Sequence, residues 1–189
     1  MSASYSFYDT TIPTFRGIAQ SAIGFLSAAK EEISKGNTTS EKEILDAQFG
    51  DMLPFRVQPI ILGKFQVVAF ETFKVNGSAP APQMDPTAFS SLDDVINFFK
   101  QLLAIYDAID QKAWNETAQK SLDVPVAHKT LSMSTTANYM FDFVIPNSYF
   151  HLNAMYMLLR SKGFALGKPT YIGGFMSEQT KKDWAPLRS

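Results

Sequence analysis

Polar side chains capable of chemistry concentrate in one otherwise apolar stretch, TANYMFDFVIPNSYFHLNAMYMLLRSKG, residues 136–163. It carries Tyr139, Asp142, Asn147, Ser148, Tyr149 and His151 where a core helix is normally apolar. A buried polar group without a partner costs about 1–3 kcal/mol, so a cluster of them points to a lined pocket. The unperturbed pKa of imidazole makes His151 the side chain best suited to exchange protons near neutrality. The alternative reading is a core histidine satisfied by a carbonyl or a tyrosine. The other histidine, His128, falls in a polar turn and reads as solvated.

Helical spacing sorts these groups. Asn147 and His151 are four apart and share a face, with Ser148 beside it, although a serine there can also bond back to a helix carbonyl. Asp142, Tyr149 and Tyr156 are seven apart and share another face. An ideal helix puts Asp142 opposite His151. Pro146 cannot donate to the Asp142 carbonyl and kinks the helix, so whether the two side chains meet stays open. If they meet, Asp142 orients His151 or serves as a second acid/base. Otherwise it pairs with Arg56, Lys64 or a buried hydroxyl. Gln58, in the apolar run MLPFRVQPIILGKFQVVAFETFK, is a further candidate for the same site, and Asp51 just before it is either a helix cap or a pocket group. Tyr139 completes the set of expected substrate contacts.

The elements that must position these groups are helices. Thr10 and Thr11 are candidate caps for a first helix with Pro13 in its first turn and apolar residues from Phe15 to Ala29 at helical spacing. Ser40 and Glu43 form a capping box before a short helix. The run 52–74 reads as a second long helix, bent near Gln58 by Pro59. Ser91 and Asp94 cap a third, whose stripe runs Val95, Phe98, Phe99, Leu102, Leu103, Tyr106. LDVPVAHKTLSMS alternates like a small β-hairpin, and residues 136–163 form the fourth long helix. Residues after Gly163 read as loop or irregular cover. The expectation is one all-α domain over residues 1–189, a four-helix bundle with a small hairpin before its last long helix.

Composition narrows the function. The chain has 189 residues, is 46% hydrophobic and 19% charged, and carries a net charge of −1, which suits a folded core and disfavours nucleic acid as a partner. Zero cysteines exclude disulfides, thiolate metal sites and a cysteine nucleophile. No apolar run reaches the roughly 20 residues of a membrane span, and no basic region followed by an apolar run opens the sequence. A cytoplasmic protein is expected. Phosphate loops, dinucleotide fingerprints and serine elbows are absent; GKPTYIGG has glycines without the strand–loop–helix context.

The segment FVIPNSYFHLNAMYMLLRSKGFALGKPTYIGGF resembles the signature of the domain of unknown function 1993 family, with Ser148 where that pattern has an aromatic residue. DMLPFRVQ and YDTTIPTF resemble two further motifs of the family, and SSLDDV and LDVPVA line up in order, so the similarity covers nearly the whole chain. The resemblance implies a DinB-like helical bundle, a group whose typical site is three histidines on a divalent metal, two of them four apart on one helix. Here that pair is Asn147 and His151, and nine residues before His151 stands Asp142. One imidazole with oxygen donors is a poor zinc site, so no cofactor is expected; a divalent metal, if bound, would sit on His151 and Asp142. The expected function is a metal-independent isomerase, cyclase or lyase acting on an apolar, oxygenated small molecule, with His151 and Asp142 catalytic. Asn147, Ser148, Tyr149, Gln58, Asp51 and Tyr139 would hold the substrate. A metal-dependent transferase or hydrolase and a non-catalytic binding bundle are the alternatives. Family analogy and the aromatic-rich composition also suggest a homodimer.

Overall fold

The computed structural model describes residues 5–188. Helix α1 spans Phe7–Ser34, four residues earlier than the threonine caps suggest, because Ser6 and Asp9 form a capping box ahead of them. Thr10 and Thr11 are instead helical, their hydroxyls bonded back to the Ser6 and Phe7 carbonyls. Pro13 therefore lies within the helix, on its exposed side.

The Ser40–Glu43 box opens α2, Glu41–Leu45. The run 52–74 is not one bent helix. Phe55–Val57 forms a single 3-10 turn and α3 runs from Gln58 to Phe73, with Pro59 in its first turn. A proline costs nothing where the backbone N–H has no helical partner, so it starts this helix rather than bending it. Asp51 lies in a turn outside and caps nothing. The Ser91–Asp94 box opens α4, Leu92–Ala108, as expected, followed by the short α5, Gln111–Asn115. Strands β1, Leu122–Val126, and β2, Lys129–Met133, form the antiparallel hairpin, turning at Ala127 and exposed His128.

The last long helix is built in three pieces. One turn, α6, covers Thr136–Asn138, a π-helical turn covers Tyr139–Val144, and α7 covers Ile145–Ser161. In the wide turn the Ile145 N–H reaches the Met140 carbonyl, five residues back. The structure thus absorbs Pro146 by widening the turn before it and beginning a fresh α-helix around it.

The chain after Gly163 is largely helical, not irregular: α8, Lys168–Ile172, a 3-10 turn, Gly173–Phe175, and α9, Glu178–Asp183. Pro169 starts α8 and Ser177 caps α9, signals too short-ranged to stand out by periodicity. This segment lies on α1. Ser21 donates to the Tyr171 carbonyl at 2.7 Å, and a Cβ on Gly174 would meet the Ser21 nitrogen at 2.2 Å, so only glycine lets the two backbones come this close.

The four long helices form a ring, α1 against α4 and α7, and α3 against α4 and α7. Phe15, Phe25, Phe70, Phe99, Tyr106 and Trp114 fill its centre. The architecture is the all-α bundle with one small hairpin that the sequence predicts. Among the described residues no helix is long and apolar enough to cross a membrane.

Candidate functional site

His151 sits midway along α7, 8% exposed, facing the first residue of α3. Its Nδ1 lies 2.7 Å from Gln58 Oε1, and Gln58 Nε2 donates to the Leu53 carbonyl at 2.5 Å. A carbonyl only accepts, so the Gln58 amide nitrogen must point at Leu53 and its oxygen at the imidazole. Nδ1 therefore carries the hydrogen and Nε2 the lone pair. Nε2 has no hydrogen-bond partner among the described residues, and it is not one of their fully buried unpartnered atoms. Its lone pair meets the surface. Burial, which penalises the imidazolium, pulls the pKa of His151 down to about 4.

The remaining polar groups of α7 tie it to α3. Tyr139 donates to the Phe65 carbonyl at 3.0 Å, Asn147 to the Ile61 carbonyl at 3.5 Å, and Ser148 to the Val144 carbonyl at 2.7 Å within its own helix. Ser148 Oγ also accepts from Gln66 Nε2 at 2.9 Å, while Gln66 Oε1 accepts from Tyr106 on α4 at 2.5 Å. Tyr106, Gln66 and Ser148 are all wholly buried. From Tyr139 in the wide turn through Asn147 to His151 on α7, the partners run backward along α3 through Phe65, Ile61 and Gln58, as antiparallel neighbours must. The polar cluster is a zipper between two helices, with each buried donor satisfied, not the wall of an open pocket.

That arrangement redistributes the expected site. Gln58 and His151 meet. Ser148 and Tyr139, expected to hold substrate, are turned into the core with their hydroxyls occupied, and burial raises the pKa of Tyr139. Asn147 is half-buried on the seam. Tyr149 points elsewhere, stacked on Phe175 with ring centroids 5.9 Å apart, and burial raises its pKa. Asp51 and Asp142 are both exposed, and neither has a hydrogen bond or ion pair among the described residues. The orienting partner of His151 is thus Gln58, in the role expected of Asp142. Nor does Asp142 pair with Arg56, which holds Asp46 at 2.5 Å, or with Lys64, which lies over the Phe65 ring.

The clefts on the surface lie away from this seam. One of about 230 Å³ is lined by Lys168, Pro169, Ile172, Met176, Trp184 and Leu187, and another of about 260 Å³ by Tyr156, Met157, Tyr171 and neighbours. What adjoins His151 is an exposed aromatic ring: Phe150 sits edge-to-face with it at 5.2 Å.

Gln66 and Tyr106 are the site-supporting residues that sequence reasoning misses. Gln66 follows Gln58 by eight residues in an apolar helix, a spacing that puts both amides on nearly the same stripe, and that signal is present in the sequence. Tyr106 looks like an ordinary core aromatic from sequence.

A resident metal can be tested against these donors. No group of three or more His, Cys, Asp or Glu side chains able to share an ion exists among the described residues. The side chain nearest the imidazole is a neutral amide whose oxygen is already taken. The donor set does not fit a divalent metal.

The ring of four long helices with one hairpin has a counterpart among solved structures. A crystal structure of a DinB family member from Shewanella denitrificans matches with a TM-score of 0.69, covering 88% of this chain and 91% of that one, at 19% identity. At that identity the likeness is one of fold. Curated proteins give no match. The profile described as "Domain of unknown function (DUF1993)" matches residues 7–172, and the chain belongs to that family.

Proposed function

We propose that the chain is a metal-independent small-molecule enzyme in which His151 Nε2 accepts a proton from an apolar, oxygenated substrate, as in an isomerase, cyclase or lyase. The observation that carries this reading is the 2.7 Å bond between His151 Nδ1 and Gln58 Oε1. It fixes one tautomer, aims one lone pair outward, and uses a partner that is itself held by the Leu53 carbonyl. A positioned, neutral imidazole beside exposed Phe150 suits a substrate that is mostly apolar with one exchangeable proton. Asn147 is the nearest half-buried polar group on the same face of α7 and the best candidate to hold a substrate oxygen. Asp142 is left without a catalytic role in this reading, and no step passes through a metal.

A second reading is favoured by the lowered pKa. An imidazole near 4 is a weak base at neutral pH, because general bases work best with a pKa close to the working pH. Such a group accepts a hydrogen bond from a ligand without removing its proton, which describes a binding bundle. A panel of apolar ketones and enols in D2O separates the two, with exchange at carbon followed by NMR. Exchange that disappears in both His151→Ala and His151→Gln supports the enzyme. Binding without exchange supports the second reading. Exchange retained in His151→Ala refutes both the role and the site.

A further inference from the structure

The side of α7 turned away from His151 faces the C-terminal helices. Two residues along a helix are a rotation of about 200°, so Asn153 points away from the imidazole. Tyr149, Asn153 and Tyr156 are four and three apart and share that face. Tyr156 sets its ring edge-on to Tyr171 of α8 at 5.4 Å, and Tyr149 and Tyr171 both lie against Phe175, at 5.9 and 5.8 Å. Tyr156 and Arg160 both donate to the Leu166 carbonyl, which fixes the chain as it enters α8. The cleft of about 260 Å³ between α7 and α8 is therefore built on a fixed aromatic wall.

Three polar side chains of this cleft have no partner among the described residues. The half-buried Tyr171 makes no hydrogen bond through its hydroxyl, which is not one of their fully buried unpartnered atoms and so opens outward. Asn153 and Lys168 are exposed at its lips, the amide without a hydrogen bond and the ammonium without an ion pair. No carboxylate lines the cleft, and residues 160–189 carry six basic side chains against two acidic ones in a chain of net charge −1. An ammonium, a phenol and an amide can all donate, and the ligand that accepts from all three is an oxyanion. The neighbouring cleft of about 230 Å³ shares Lys168 and Ile172 and is otherwise apolar, walled by Pro169, Met176, Trp184 and Leu187. Trp184 and Leu187 are 50% and 77% exposed. Each cleft alone falls short of the roughly 300 Å³ at which ligand pockets begin, and joined across Ile172 they exceed it. We propose that the two clefts form one binding site for an apolar monocarboxylate, its head on Lys168, Tyr171 and Asn153 and its tail across Ile172 against Trp184. One ammonium with two neutral donors matches a single negative charge, and the tail takes the place of water on the apolar walls. The site lies on the opposite side of α7 from His151 and stands whether or not His151 does chemistry.

Titration of the whole chain with decanoate, kept below micelle formation and followed by calorimetry and tryptophan emission, tests the site. The expected result is saturable binding of one decanoate per chain with a blue shift in emission. The shift should vanish in Trp184→Phe, because Trp114 is wholly buried and blind to the cleft. Decanol, with the same tail and no charge, should bind at least about tenfold more weakly, the worth of one charge-assisted hydrogen bond. Lys168→Gln should weaken decanoate by a similar factor and leave decanol unchanged, with an unaltered circular dichroism spectrum because Lys168 is exposed. Tyr171→Phe should produce a smaller loss, and His151→Ala none. Absence of saturable decanoate binding overturns the proposal, and so does equal affinity for decanoate and decanol. Decanoate binding that is lost in His151→Ala but kept in Lys168→Gln puts the carboxylate on the other side of α7 and overturns it as well.

Discussion

Replacing Gln58 with glutamate keeps an oxygen on the imidazole and turns the amide nitrogen that faces the Leu53 carbonyl into a second oxygen. It also adds a charge that should invert the way the protein's stability depends on pH. In the native chain His151 titrates at about 4, below the ordinary 6.5, because burial disfavours the charged ring. The unfolded chain therefore binds more protons between those values, so this group's contribution is complete above about 6.5 and is lost as pH falls toward 4. At about 1.4 kcal/mol per pKa unit the loss approaches 3 kcal/mol. A carboxylate in place of the Gln58 amide would lie about 2.7 Å from Nδ1. With the two delocalised charges centred about 4 Å apart, an effective dielectric near 20 makes such a pair worth about 4 kcal/mol, enough to raise the imidazole pKa by roughly 3 units, past its unfolded value. The sign then reverses: the contribution is present below about 6.5 and fades as pH rises through the new folded value. The assay is urea unfolding from pH 5 to 8 in a His128→Gln background, so that one imidazole titrates. A change of about 2 kcal/mol moves the midpoint by about 1 M. Parallel pH profiles with and without the Gln58→Glu substitution would refute the reasoning, because they would mean that the two side chains do not meet.

Other consequences follow from the same seam and its surroundings. Gln66→Leu strands the buried Tyr106 hydroxyl, while Ser148 still donates to the Val144 carbonyl, and should cost about 1–3 kcal/mol, read as a urea midpoint. Ser148→Ala should cost less, since Gln66 Nε2 keeps the Leu62 carbonyl at 3.1 Å. Gly174→Ala drives a Cβ into the α1 backbone at Ser21 and should destabilise by about 1–3 kcal/mol, loosening residues 168–188 to limited proteolysis before the rest of the chain. Asp142→Asn should leave monomer stability within about 0.5 kcal/mol and the His151 titration unmoved, whereas an Asp142 that orients the imidazole would shift that titration.

Much of the architecture is legible locally. The Ser40–Glu43 and Ser91–Asp94 boxes, the α4 stripe and the hairpin alternation each depend on residues a few positions apart, and each appears where expected. Proline is harder to read. Pro59 starts a helix rather than bending one, and Pro146 follows a widened turn, because a missing N–H has several low-cost solutions that only the packed neighbours select. The site divides in the same way. His151 and Gln58 stand out as polar residues in apolar helices. That they bond to each other, across 93 residues, is decided by the antiparallel fit of α3 and α7. Ser148 and Tyr139 stand out for the same reason as His151. Burial against helix carbonyls, which no local pattern records, makes them structural.

The protonation state of His151 itself is the most direct test. Long-range proton–nitrogen correlation NMR on histidine-labelled protein at pH 6 to 7 distinguishes the two tautomers and the imidazolium. The expected result is one neutral imidazole with hydrogen on Nδ1 and a free lone pair on Nε2, charging only as pH falls toward 4. A hydrogen on Nε2, or an imidazolium at pH 6, would contradict it.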